Sequence, residues 1–132
     1  MNKIKSTEDA VIAKLKPVEA PMGLTRDQKA IWDLFERQKL LAIRKNHDYG
    51  SSVFLPPVMA PGVESGTAIL VRMSDKIHRI QQLLDLGNHQ VADETLSDTF
   101  CDLGTYAFLY VIWRSRDLNK NVLLRPDEVR RV

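Results

Sequence analysis

The segment 103–113, Leu-Gly-Thr-Tyr-Ala-Phe-Leu-Tyr-Val-Ile-Trp, has no polar face in helical projection. At 3.6 residues per turn its apolar side chains point in every direction. A helix built from it must be covered on most sides, at the centre of a bundle or against another subunit. The run contains Gly104 and Thr105 and falls short of the roughly 20 apolar residues of a membrane span. It reads as the buried half of a helix that opens near Asp93, where acidic residues suit the positive end of the helix dipole. That helix continues to about Arg116, with basic residues at its negative end.

Two further helices precede it. One opens at Thr25, whose hydroxyl can cap while Gln28 reaches back to its amide, and runs to 44 or 45. Ile31, Leu34, Phe35, Leu41 and Ala42 share its apolar face, whereas Lys29, Asp33, Glu36, Arg37 and Arg44 share the wet one. The other spans 67–86 and stops at Gly87-Asn88, with Ile69, Met73, Ile77, Ile80 and Leu84 as its apolar stripe. No segment alternates with period two for long enough to form a sheet, and no repeat appears. The expected class is all-α, a small helical bundle of three main helices with one long loop. Residues 1–24, broken by Pro17, Pro21 and Gly23, are expected to be a peripheral arm that could serve as an oligomer contact. The core domain is placed at 25–118 and a basic tail at 119–132. Three helices make a thin bundle, so the fully apolar one is expected to be covered by a second copy in a homo-oligomer.

Composition excludes several classes. Nineteen basic residues against 17 acidic give a net charge of only +2, which does not favour nucleic acid, since phosphate neutralisation calls for clustered excess Lys and Arg. Cys101 is the single cysteine, so it forms no internal disulfide and no cysteine-based zinc site. The opening Met-Asn-Lys-Ile-Lys-Ser-Thr-Glu-Asp carries charges where a secretion signal needs an apolar run. No membrane association and a cytoplasmic setting are expected.

The stretch 46–66 is about twenty residues long where most connections take about 4 to 6, and loops of that length usually carry function or are disordered. Its Tyr49, Phe54, Leu55, Val58 and Met59 favour a loop packed on the bundle beside a site.

The acids of the last helix carry the strongest chemical signal. Glu94, Asp98 and Asp102 recur every fourth residue and so lie on one side of the helix, within about 80° of arc. Like charges so placed repel and call for compensation. Asp102, set among Phe100, Cys101 and Leu103, cannot stay charged in apolar surroundings without a partner. That partner is either a hard divalent cation such as Mg2+, with Asp75 as a further ligand, or a basic side chain of a neighbouring helix. On the preceding helix Arg72, Lys76 and Arg79 cluster within about 60°, on a face read as opposite the apolar stripe. Such a cluster suits phosphate oxygens, or else it is a solvated face with an Asp75–Arg79 pair. His47, His78 and His89 lie at no metal-ligand spacing and read as surface or loop residues. Cys101 reads as a small core residue. Asp33 and Glu36 sit on a wet face, and the familiar phosphate-loop and nucleophile-elbow motifs are absent.

Three blocks in this order resemble the nucleotide modification associated domain 1 family: Lys45-Asn46-His47-Asp48-Tyr49-Gly50; Arg72-Met73-Ser74-Asp75-Lys76 with Arg79; and Asp93-Glu94, Asp98-Thr99 and Asp102-Leu103 with Tyr106. The resemblance implies an all-α, oligomeric, nucleotide-handling protein of phages and bacteria, akin to the all-α nucleoside triphosphate pyrophosphohydrolases. It places Lys45, Asp48, Tyr49, Arg72, Lys76 and Arg79 at the nucleotide and Glu94, Asp98 and Asp102 at catalysis and metal. The chain departs from the pyrophosphohydrolases in carrying its acids every fourth residue on one helix rather than as pairs on two.

The expected function is therefore Mg-dependent nucleotide binding, with pyrophosphohydrolase-like activity on a nucleotide or nucleotide-derived small molecule. The alternatives are a non-catalytic protein that sequesters nucleotides or cyclic nucleotides, and a helical assembly protein without a ligand.

Overall fold

Thr25 and Thr95 each begin a helix in the same way, and these two caps fix where two of the three long helices start. The computed structural model describes residues 3–86 and 95–116. Its helices are α1 (Lys3–Lys14), α2 (Arg26–Asp48), α3 (Ser65–Leu86) and α4 (Leu96–Ser115), with a 3-10 turn at Ser52–Phe54. The all-α class is as expected, but there are four main helices rather than three. The added one is α1, 12 residues long, taken from the sequence as part of an arm. It has few large apolar residues, and its hold on α2 is largely polar, which hydrophobic periodicity does not report. The chain divides between Ser51 and Ser52 into two compact units.

In the first unit, α1 and the stretch after it lie along α2. The Trp32 indole N–H donates to the Val18 carbonyl at 2.8 Å, and the Val18 N–H donates to Glu36 Oε2 at 2.7 Å. Arg44 donates to the Leu15 carbonyl at 3.1 Å, and His47 Nε2 lies 2.6 Å from Asp9 Oδ1. Leu40 is buried in the middle of this row. Glu36 and Arg44, read from sequence as wet-face residues, therefore belong to the side of α2 that holds the arm. Ile31, Leu34 and Leu41, read as its apolar face, stay exposed.

The reciprocal Thr25–Gln28 cap is present as expected. At its other end α2 runs on to Asp48, beyond the expected 44 or 45. It stops where Gly50 and Ser51 turn left-handed, with φ of 59° and 60°. Their N–H groups return to the carbonyls of His47 and Asn46, and the Asn46 amide donates to the Ser51 hydroxyl at 2.9 Å, offsetting the strain of a left-handed non-glycine residue.

In the second unit α3 and α4 pack along each other, and the 3-10 turn packs on α3. Gly66 meets Trp113, Arg72 meets Tyr106, and Lys76 meets Asp102, so the two helices run antiparallel. Ile69 and Ile80 are buried on α3, and Thr99, its hydroxyl donating to the Thr95 carbonyl at 2.9 Å, is buried on α4. The Arg116 guanidinium lies 4.6 Å over the Phe54 ring, tying the turn to the end of α4. The rest of the loop packs less than expected: Leu55, Val58 and Met59 are exposed, while Val53 and Phe54 are half-buried. No described helix is long and apolar enough to cross a membrane.

Candidate functional site

On α3, Ile69, Met73, Lys76 and Ile80 recur at intervals of four, three and four, so they share the face that α4 covers. Arg72 and Arg79 flank that line. The cationic row is therefore not opposite the apolar stripe, as read from sequence, but forms one edge of the α3–α4 seam. The apolar arc is wider than α4 can cover, and Ile77 and Leu84 remain exposed on its far side.

Antiparallel packing makes the spacing on one helix match the spacing on the other. Arg72 and Lys76 are one turn apart on α3, as are Asp102 and Tyr106 on α4. Lys76 Nζ lies 3.2 Å from Asp102 Oδ2, with 23% and 30% of the two side chains exposed. The Arg72 guanidinium carbon is 5.9 Å from the centre of the Tyr106 ring. A cation resting on an aromatic face keeps the N–H groups at its edge available to an anion, which a carboxylate partner would occupy. Arg79 continues the row, half-buried, with its Nε sealed from solvent.

The acids divide into separate roles. Asp98 occupies the third position of α4 and closes a capping box. Its carboxylate accepts from the Thr95 hydroxyl at 2.7 Å and from the Thr95 N–H at 3.4 Å, while its own N–H donates to Thr95 Oγ1 at 3.0 Å. There its charge also suits the positive end of the helix dipole. The helix accordingly opens at Leu96 rather than near Asp93. Asp102 is neutralised by Lys76, which is the salt-bridge alternative left open by the sequence. Glu94, Asp93 and the Gly87-Asn88 stop lie outside the described residues, as do His89 and the tail 119–132. Among the described residues no group of three or more His, Cys, Asp or Glu side chains is arranged to hold a metal ion. Of the described acids of α4, Asp98 closes a helix cap and Asp102 is paired with lysine.

Asp75 is exposed on α3, beside the row. Lys45 and Asp48 lie in the last turn of α2 and Tyr49 is its C-terminal cap, all within the first unit. Tyr49 is 70% exposed. His47, read as a surface or loop residue, is instead a largely covered helical residue between Asp9 and, at 4.0 Å, Glu8.

Sequence reasoning left Tyr106 and Thr95 out of the site. The equal four-residue spacing of the Arg72/Lys76 and Asp102/Tyr106 pairs was the available signal, since two antiparallel helices bring such pairs into register.

The second unit thus presents an antiparallel helical hairpin whose seam carries a row of cations, held by an acid and an aromatic ring. The chain belongs to the nucleotide modification associated domain 1 family, whose sequence profile matches residues 45–113. That range runs from the last turn of α2 to Trp113 and takes in all of α3 and most of α4. Searches of curated proteins and of solved structures each returned no match.

Proposed function

We propose that the α3–α4 hairpin binds the phosphate chain of a nucleotide, and that this binding serves the nucleotide modification with which the family is associated. The observation that carries the reading is the row Arg72, Lys76 and Arg79 along one edge of the seam, with Lys76 fixed by Asp102 and Arg72 resting on Tyr106. Guanidinium groups grip phosphate oxygens in pairs and lysine adds a point charge. Holding these side chains in place before the ligand arrives lowers the entropy cost of binding it. In the first unit, Tyr49 is exposed at the end of α2 with Lys45 and Asp48 in the same turn, and these three are proposed for a base or sugar on the family resemblance alone.

The hydrolytic reading is favoured by the placement of Asp98 and Asp102 one turn apart on the same helix. In it Glu94, Asp98 and Asp102, with Asp75, would take a Mg2+ ion, and both described acids of α4 would first have to leave their present partners. A sequestering protein would use the same cations without turnover.

The test is to incubate the protein with deoxynucleoside triphosphates and cyclic nucleotides, with and without Mg2+, following both binding and product. Binding is expected to fall at least about tenfold in Arg72→Ala, the loss of a charge-assisted contact. A panel that produces no binding and no shift in thermal midpoint overturns the reading. Product that requires Mg2+ and disappears in Asp98→Ala and Asp102→Ala selects hydrolysis. Intact ligand recovered after denaturation selects sequestration.

The same reading includes a homo-oligomer. Ile31, Leu34 and Leu41 on α2, Leu70, Ile77 and Leu84 on α3, and Phe100 and Ile112 on α4 are large apolar residues exposed in the single chain. A second copy is the expected cover, and sedimentation of the purified protein as a monomer at micromolar concentration would remove this element.

A further inference from the structure

Resting on the phosphate-binding reading of this row, we propose that Asp102 is an internal anion that occupies Lys76 until a polyphosphate displaces it, which makes the site selective for nucleoside di- and triphosphates over singly charged or weakly charged anions. Lys76 and Arg72 are neighbours on one edge of the seam, yet they are held differently. Lys76 faces a carboxylate at 3.2 Å, whereas Arg72 lies against the face of Tyr106 at 5.9 Å. An arriving phosphate meets no carboxylate competitor at Tyr106, but it must replace Asp102 to gain Lys76. Both members of that pair are partly exposed, so an anion can approach Lys76 without the helices separating.

Competition of this kind acts as a charge threshold. Orthophosphate carries at most about two charges near neutral pH and gains little over the aspartate it replaces. A triphosphate spreads more charge over several oxygens, so it can hold Arg72 while it competes for Lys76. The proposal assigns Asp102 a role opposite to that of a metal ligand. A metal ligand would strengthen nucleotide binding, whereas a competing counter-ion weakens it and sharpens its selectivity. Asp102 is in this sense a positioning residue, acting through Lys76.

The experiment measures affinity for inorganic tripolyphosphate and for orthophosphate in the presence of EDTA, using the full chain, its Asp102→Asn variant, and both again in a Lys76→Gln background. Asp102→Asn keeps the side-chain size and removes the competing charge. It is expected to tighten tripolyphosphate binding about fivefold, the scale of a part-exposed ion pair, and to tighten orthophosphate proportionately more, so that selectivity narrows. In the Lys76→Gln background the same substitution is expected to change nothing, because the effect runs through the lysine. Unchanged or weaker tripolyphosphate binding by Asp102→Asn overturns the proposal, as does an equal effect with Lys76 absent. If the parent chain binds no polyphosphate while Asp102→Asn does, the carboxylate is the barrier and the proposal stands. If neither binds, the phosphate-binding reading fails with it. Parent binding combined with a weaker Asp102→Asn fails this proposal alone.

Discussion

Gly66 lies in the first turn of α3, where the ring of Trp113 from α4 rests against its backbone. A methyl group added there would fall 2.5 Å from both Cε3 and Cη2 of that ring, and closer still to Cζ3. Carbon atoms pack at about 3.5–4.0 Å, so the overlap is about 1 Å or more over several atoms. The indole is a rigid plate, adjoined by Tyr110 at 5.7 Å between ring centres, and it cannot yield as the tip of a lysine would. Either Trp113 turns out or the helices part at this end. Overpacking of this sort costs about 1–3 kcal/mol. Against it, replacing glycine by alanine in a helix returns at most about 1 kcal/mol, and less in a first turn. Gly66→Ala is therefore expected to destabilise by about 1–2 kcal/mol, read as a lower midpoint in urea with an unchanged slope. In a Trp113→Leu background, which lacks the three offending atoms, the sign is expected to reverse and alanine to stabilise. A Gly66→Ala protein as stable as its parent would refute the reasoning, as would the same loss with Trp113 replaced. The substitution also tests the site at a distance, because Arg72 and Lys76 lie about two and three turns further along the same seam.

Thr95→Ala removes the hydroxyl that caps α4 and is expected to cost about 0.5–2 kcal/mol in chemical denaturation, whether or not Mg2+ is present. A loss confined to Mg2+-containing buffer would instead place the neighbouring Asp98 at a metal. The Glu36 carboxyl is held below its ordinary value of 4.5, first by the hydrogen bond from Lys39 and then by the Val18 N–H. A lowered folded-state value means stability present above pH 4.5 and lost as pH falls through the lowered value. Protection of the Val18 amide, relative to its intrinsic exchange rate, should accordingly fall as pH drops through that lowered value in the parent and show no such acid dependence in Glu36→Gln. His47→Ala removes the side chain between Asp9 and Glu8 and is expected to increase protease cleavage within α1 while leaving α3 and α4 protected. If Tyr106 supports Arg72 through its ring, Tyr106→Phe should keep polyphosphate affinity and Tyr106→Leu lower it about two- to fivefold by calorimetry.

Helix type and the Thr25 cap were legible in the sequence because both depend on local chemistry, whereas the equally local Thr95 cap was passed over in favour of the acids near Asp93. Thr25 with Gln28 is recognisable from spacing alone, and the apolar run 103–113 is helical as expected, although none of its residues is buried in the single chain and Phe108 and Ile112 are exposed. What could not be read locally was which face of each helix meets a neighbour. On α2 Leu40 is buried along the side where Trp32 and Arg44 donate hydrogen bonds to the arm and Glu36 accepts one from it, contacts between residues 14 to 29 positions apart that no periodicity records. On α3 an apolar arc broader than one helix can cover left two choices of packing partner, and the choice made draws Lys76 into the seam. Asp98 and Asp102 lie on the helix expected for them, but their shared side of it suggested a shared ligand. Asp98 is three residues after a threonine, and that local relation decides its partner, whereas the partner of Asp102 depends on the register of the hairpin.

That register gives the near-neutral charge of the chain a local meaning. An ion pair only partly exposed on a helix seam adds little stability, and an apolar pair of similar volume would often serve the fold as well or better. Packing alone therefore supplies no strong reason for Lys76 and Asp102 to sit there, between a buried Ile69 and a buried Ile80. A charge that can be displaced is useful where a ligand brings charge of its own. On the phosphate-binding reading proposed above, the lysine neutralised in the resting hairpin would become available when a more highly charged anion arrives, and Arg72, held on an aromatic ring, would meet that anion first. Near-neutrality in the free protein and the proposed affinity for a polyphosphate would then be two states of one set of side chains.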